Sequence, residues 1–184
     1  YKIKKFNIIV INHFMQVIQN FLKIKNQISN LNPKTKLIAV TKGQGMEKIK
    51  LLIDKGHLDF GENKIQEALF KWASILNIHK NINLHLIGGL QSNKAKDAFR
   101  IFNYIHSLDS EKLAKIFFDL EKKFSKKINY FIQVNIGNEN QKYGINVSLV
   151  FDFVRYCQKD LNLNILGLDR KSTRLNSSHT DISR

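Results

Sequence analysis

At 184 residues the chain can bury one sizeable core but falls short of the roughly 250 residues of a full eight-unit (β/α) barrel. A hydrophobic fraction of 43% with 24% charged residues argues against disorder over most of its length. The formal charge of +15 would admit phosphate neutralisation on nucleic acid. However, the lysines are scattered through nearly every segment and no basic, aromatic-interleaved helix appears, so no nucleic-acid partner is expected. Lys, Asn, Ile and Phe are abundant together, as AT-rich codon usage would produce.

Taken in chain order, Phe14, Val17, Ile18 and Phe21 follow helical spacing, which predicts an amphipathic helix from about Ile11 to Ile28, broken by Asn30, Asn32 and Pro33. Lys4 and Lys5 before Ile8 to Ile11 make too short a stretch for a signal peptide, and no apolar run reaches the roughly 18 residues of a membrane span. No membrane partner is expected, and the cytoplasm is the default location. Leu37 to Thr41 is almost purely apolar, as a parallel strand buried on both faces would be, and Gly43 and Gly45 open the loop after it. A short helix face of Ile49, Leu52 and Ile53 closes at Gly56. A second strand is expected near Leu58 to Phe60, a helix through Ile65, Leu69, Trp72 and Leu76, and a third strand over Leu84 to Ile87.

Ser92 to Ile101 reads as the next helix and Tyr104 to Ser107 as the fourth strand. Asp109 or Ser110 can cap a helix whose core face is Leu113, Ile116, Phe117, Leu120 and Phe124. Tyr130 to Ile136 is a fifth strand, Val147 to Cys157 a helix, and Leu163 to Leu168 the start of a sixth strand. The lone Cys157 shares a helical face with Val150 and Val154, which marks a buried core thiol. Strict alternation points to a parallel α/β architecture, and the missing glycine-rich dinucleotide fingerprint after the first strand favours an incomplete (β/α) barrel, with about six of eight strands, over a doubly wound sheet.

After Leu168 the apolar period stops. The expected organisation is therefore a partial barrel over residues 1–168 followed by a disordered tail, 169–184, whose abrupt change of composition resembles a translated sequencing adapter or else a flexible natural tail. Tyr1 in place of a methionine suggests that the other end is incomplete too.

Polar groups recur at the strand ends, where the βα loops of a barrel converge on one mouth. Lys42 ends the first strand, which makes it a candidate covalent anchor, because a lysine there can be desolvated enough to supply a neutral amine. The alternative is a solvated loop lysine. Asn63 either meets a ligand or caps the next helix, as does Glu62. His85 is either a ligand contact or a satisfied core histidine. Gly88 and Gly89 permit close backbone approach or a tight turn. Gln91, Asn93 and Lys94 read as a helix start with exposed polar groups. His106 and Ser107 end the fourth strand. Strand parity puts Gln133 and Asn135 on one face of the fifth and Ile132, Val134 and Ile136 on the other. No histidine cluster has metal-ligand spacing, so no metal is expected.

In order and spacing, Ala39-Val40-Thr41-Lys42, Gly61-Glu62-Asn63, His85-Leu86-Ile87-Gly88 with Leu90-Gln91-Ser92-Asn93-Lys94, Ile105-His106-Ser107-Leu108-Asp109 and Asn140-Gln141-Lys142-Tyr143-Gly144-Ile145 resemble the pyridoxal phosphate homeostasis protein family. The resemblance runs from about residue 11 to 168. It implies an alanine racemase-like barrel holding pyridoxal 5′-phosphate as a Schiff base on Lys42, with Asn63, His85, Ser107 and Asn135 as further cofactor-binding residues; Lys142 is either a solvated loop lysine or a second positive charge near the phosphate. It also implies a carrier that buffers or delivers the cofactor, without turnover, to PLP-dependent apoenzymes, and the chain reads as a monomer. The competing expectation is a PLP-dependent amino-acid racemase of the same fold, which needs an opposing proton-transfer group from a second domain.

Overall fold

The structure is a computed structural model that describes the backbone of residues 2–136 and 144–170, with side chains from Phe14 onward. Asn140 to Tyr143, including Lys142, and residues 171–184 of the expected tail lie outside the described residues. Where the sequence reads as one domain over 1–168, the chain forms two compact units, Tyr1–Gly88 with Arg100–Asn103, and Gly89–Phe99 with Tyr104–Arg184.

The first unit runs α1 (Lys2–Leu31), β1 (Ala39–Val40), α2 (Met46–Asp54), β2 (Asp59–Glu62), α3 (Ile65–Ile78) and β3 (Asn83–Leu86). Helix α1 is longer at both ends than the expected Ile11 to Ile28 and includes Asn30, but it stops at the next expected breaker, Asn32. Asn32 N–H still donates to Ile28 O at 2.9 Å, but Asn32 Oδ1 then accepts from Lys34 N–H at 2.9 Å, closing an Asx turn in place of another helical turn. Gly56, at φ +73, closes α2 in the left-handed conformation that glycine adopts without strain. The strands are parallel, with Ala39 opposite Phe60, Val40 opposite Gly61, and Asp59 to Glu62 opposite Asn83 to Leu86. On one sheet face Phe60, Leu84 and Leu86 are fully buried, as are Ala68 and Trp72 of α3. Rings continue the packing, with centroids 4.9 Å apart for Phe21 and His57, 5.1 Å for His57 and Phe60, and 5.0 Å for Phe60 and Trp72. A buried side chain of Phe size contributes roughly 1.5–3 kcal/mol, so this row anchors α1 and α3 to β2.

After β3 come a 3₁₀ turn (Ser92–Lys94) and α4 (Ala95–Ile101). The second unit includes β4 (Tyr104–Leu108), α5 (Glu111–Phe124), β5 (Asn129–Asn135), β6 (Ile145–Asn146), α6 (Val150–Arg155) and β7 (Asn164–Arg170), all its strand pairs being parallel. Strand β7 pairs with Asn129 to Val134 along one edge of β5, so β4 and β6, which also pair with β5, share the other edge. Ser110, one of the two expected caps, caps α5 by accepting from Leu113 N–H at 3.3 Å. Cys157 is a core thiol as expected, 0% exposed, and burial, reinforced by Glu111, pushes its pKa up to about 12.

Two expectations need correcting. Strand β7 continues through Asp169 and Arg170, paired with Gln133 and Val134, because a backbone ladder does not require apolar side chains; the boundary read at residue 168 therefore falls inside the strand. Phe124, expected on the core face of α5, is exposed, while Glu121 on the same helix is buried. Glu121 Oε1 accepts from Ile128 N–H at 3.1 Å and from Tyr130 Oη at 3.0 Å, and Oε2 pairs with Lys127 at 2.7 Å. The carboxylate thus ties α5 to the turn that leads into β5.

Candidate functional site

Parity sorts the side chains of the first unit. Phe60 and Glu62 face α3, whereas Asp59 and Gly61 take the opposite face with their register partners Val40, Asn83 and His85. A Cβ on Gly61 would meet Ile38 at 3.2 Å and Ile87 at 3.4 Å, so the three strands converge there. Nearer the N-terminal strand ends, Asp59 Oδ1 accepts from Asn83 Nδ2 at 3.1 Å and lies 3.3 Å from His85 Nε2. His85 is buried, 3% exposed, inside β3. Its ring is engaged with Asp59, the arrangement of a satisfied core histidine.

The C-terminal strand ends are different. Lys42 is exposed in the turn after β1, rather than desolvated by its surroundings, and its amine makes no hydrogen bond or ion pair among the described residues. Asn63, half-buried just past β2, likewise has an uncommitted side chain among them. It is not a helix cap, since α3 starts from Lys64 with no side-chain cap. A Cβ on Gly88 would collide with the Asn63 carbonyl, so the chain leaving β3 presses on the backbone at Asn63 and only glycine fits. Nothing lies within 4 Å of a Cβ on Gly89.

Glu62, expected to cap a helix, is instead fully buried. Its Oε1 accepts from Thr41 Oγ1 at 2.7 Å, Lys71 Nζ at 2.8 Å and Trp72 Nε1 at 3.0 Å. Lys71 Nζ also donates to Thr41 O at 2.8 Å and Glu67 Oε1 at 2.9 Å, and Glu67 Oε1 accepts from Gly43 N–H at 2.8 Å. Burial acts to lower the pKa of Lys71, but its bonds to Glu62 and Glu67 outweigh that and hold it above the ordinary value. The Gly43 N–H, helped by Lys71, holds Glu67 below its own. Sequence reasoning missed Glu67 and Lys71, although their i,i+4 spacing was a visible sign of an ion pair.

In the second unit Ser107 is 2% exposed, and its Oγ has no hydrogen-bond partner among the described residues. It sits in a register irregularity between Ile105 and Leu108. The expected parity of β5 holds within the strand, for Tyr130, Ile132 and Val134 are buried together and Gln133 shares the other face with Phe131 and Asn135, but Ile136, expected on the apolar face, lies past the end of the strand and is exposed. There His106 stacks on Phe131 at 4.4 Å, with Nδ1 3.7 Å from Asp169 Oδ2. Asn135 ends β5 against Gly144, whose φ of +127 and the 3.2 Å from its Cβ position to Asn135 Cβ leave room only for glycine. Lys42, Asn63 and His85 thus belong to one unit, and Ser107 and Asn135 to the other. No group of three or more His, Cys, Asp or Glu residues suited to a metal ion occurs among the described residues.

Residues 14–169 match the family model of the alanine racemase N-terminal domain. A pyridoxal phosphate homeostasis protein of Buchnera aphidicola subsp. Schizaphis graminum is 38% identical over 151 residues, 82% of this chain and 64% of that protein. The homologue of the same description from Haemophilus influenzae is 30% identical over 159 residues, 86% of this chain and 67% of its own length. Among solved structures, PipY of Synechococcus elongatus with PLP bound superposes with a TM-score of 0.69 at 28% identity, over 82% of this chain and 71% of PipY. The chain therefore spans about two thirds of the length of such relatives. It has the α/β fold of the alanine racemase N-terminal domain, belongs to that family and, within it, to the pyridoxal phosphate homeostasis proteins.

Proposed function

We propose that this protein binds pyridoxal 5′-phosphate covalently through Lys42 and serves intracellular PLP homeostasis, holding the cofactor and releasing it to apoenzymes without turning over a substrate. The observation that carries the reading is the pair of polar side chains, Lys42 and Asn63, that stand uncommitted among the described residues at the C-terminal strand ends of one unit, while Thr41 and Glu62 beside them are bonded to each other. The PLP-bound PipY structure and the description of the curated relatives support the same cofactor.

The residues fit such a group. When bound, the cofactor supplies an aldehyde, to which an amine adds with loss of water. The exposed Lys42 offers that amine without first breaking an ion pair. Asn63 offers both an amide donor and a carbonyl acceptor to a ring oxygen, and Gly88 fixes its backbone. Ser107, whose Oγ is buried without a partner among the described residues, and Asn135 at the end of β5 belong to the other unit and are assigned no part in this site. His85, engaged with Asp59 nearer the N-terminal strand ends, is assigned no contact with the cofactor. No helix among the described residues is long and apolar enough to cross a membrane, and the cytoplasm, with the protein as a monomer, is the proposed setting.

Borohydride reduction of the PLP-loaded protein, followed by peptide mass analysis, should place the label on Lys42, and Lys42→Ala should abolish the imine absorbance with little change in the melt. A label on another lysine with Lys42 unmodified would refute the anchor. Amino-acid racemisation that depends on PLP and disappears in Lys42→Ala would make the protein an enzyme instead.

A further inference from the structure

We propose that Glu67 and Lys71 are positioning residues for Lys42, locking the peptide on each side of it so that its amine is presented in one orientation. The inference rests on Lys42 as the anchor but concerns side chains assigned no contact with the cofactor. Thr41 N–H donates to Gly61 O at 2.9 Å, and its carbonyl accepts from both Lys71 Nζ at 2.8 Å and Gln44 N–H at 3.0 Å. Thr41 to Gln44 is therefore a β-turn with Lys42 at its second position. Gly43, at the third, has φ +67, whereas Lys42 is not among the positive-φ residues, which makes this a type II turn.

A type II turn differs from type I by a flip of the central peptide, here the one joining Lys42 to Gly43, and that flip changes ψ of Lys42. The N–H of this peptide is the one that donates to Glu67 Oε1 at 2.8 Å. Flipping it would break a charge-assisted bond and turn the carbonyl towards a carboxylate. Glu67 is itself held by Lys71 at 2.9 Å, and Lys71 by buried Glu62 at 2.8 Å. The ladder between β1 and β2 spans only two residue pairs, so α3 supplies the rigidity that β1 lacks. Lys71, ion-paired twice and kept protonated, is also a poor rival amine.

Glu67→Ala tests this, because the side chain is a third exposed in the first turn of a helix that alanine favours, so the fold should survive. Glu67→Gln keeps a carbonyl acceptor for Gly43. Two readouts are needed, amide exchange of Gly43 by NMR in cofactor-free protein, and PLP titration read by imine absorbance and borohydride labelling. Glu67→Ala should speed Gly43 exchange by about tenfold or more and weaken PLP binding by about tenfold at an unchanged melt, with Glu67→Gln within about threefold of wild type on both. Unchanged Gly43 exchange, or faster exchange with unchanged PLP affinity, would overturn the proposal. If wild-type protein is labelled elsewhere than at Lys42, the anchor reading falls and the positioning role with it, whereas a labelled Lys42 that is indifferent to Glu67→Ala refutes the positioning role alone.

Discussion

Gly88→Ala should damage both stability and cofactor binding, while Gly89→Ala, one residue on, should do neither. A methyl group at residue 88 would lie 2.8 Å from the carbonyl carbon of Asn63 and 2.9 Å from its Cα, with the carbonyl oxygen closer still. Those atoms are backbone and cannot rotate away as a side chain would. To restore ordinary contact the chain after β3 and the chain after β2 must separate by more than half an ångström. Overpacking of this kind costs about 1–3 kcal/mol, and at roughly 2–4 °C per kcal/mol for a chain of this size the melting temperature should fall by about 2–12 °C. The displaced backbone carries Asn63, so PLP affinity should fall further than the stability loss explains, by about tenfold, since small misplacements of a positioned group are costly. At Gly89 a Cβ meets nothing within 4 Å and φ is not positive, so the change should stay within about 0.5 kcal/mol. Thermal melts followed by circular dichroism, with PLP titrations of the same samples, make the comparison. Equal melts and equal affinities for the two alanine variants would refute the close-approach argument.

Three further outcomes follow from buried groups. Glu62→Leu leaves the Lys71 ammonium and the Trp72 indole N–H short of an acceptor and should cost about 3–5 kcal/mol in urea unfolding; Glu62→Leu/Lys71→Met should cost less than Glu62→Leu alone, and strict additivity of the two single losses would count against a coupled pair. Burial lowers the pKa of His57 below its ordinary 6.5, with the Asp59 interactions only partly opposing it and Lys25 adding to it. The unfolded chain therefore takes up a proton that the folded one refuses, so this contribution to stability is complete above about pH 6.5 and is lost as the pH falls towards the folded value; His57→Phe should flatten the pH dependence of the melt in that window, and an unchanged slope would count against burial as its cause. Cys157, with its pKa pushed up to about 12, should resist iodoacetamide at pH 8 in the native protein and react only on unfolding, as intact-mass measurement would show.

The alternation of strands and helices was legible because each element carries its own period, as in the run from Ile65 to Leu76 that became α3 and the apolar stretch before Asn135 that became β5. Gly56 and Ser110 were legible as caps because the backbone geometry at those points admits few residue types. The buried carboxylates were not. Glu62 and Glu121 look in sequence like surface groups, and what buries them is the arrival of Thr41, Lys71 and Trp72 at one and of Ile128 and Tyr130 at the other, separations of 7 to 21 residues that no local pattern encodes. Strand β6 was missed for a related reason. Two residues, Ile145 and Asn146, have no period of their own and are strand only because β5 pairs with them.

Comparison of three lysines supports Lys42 as the proposed anchor on placement more than on basicity. Lys126 has its pKa lowered by burial, and on that ground alone it would be the readier source of a neutral amine. Its Nζ, however, donates to Phe99 O at 3.0 Å and lies 5.2 Å from the centre of the Phe99 ring, so reaction there must first break a half-buried bond and pull the chain out of its packing. Lys71 is the opposite case, its pKa raised by two carboxylates that keep the lone pair protonated. Lys42 alone of the three is exposed, has no partner to give up among the described residues, and sits in a turn whose backbone is held by its neighbours while its side chain is left free. The proposed role of taking up a cofactor and later releasing it would be served by that combination, because a deeply buried amine would slow both steps and an unsupported surface lysine would hold the cofactor in no defined orientation.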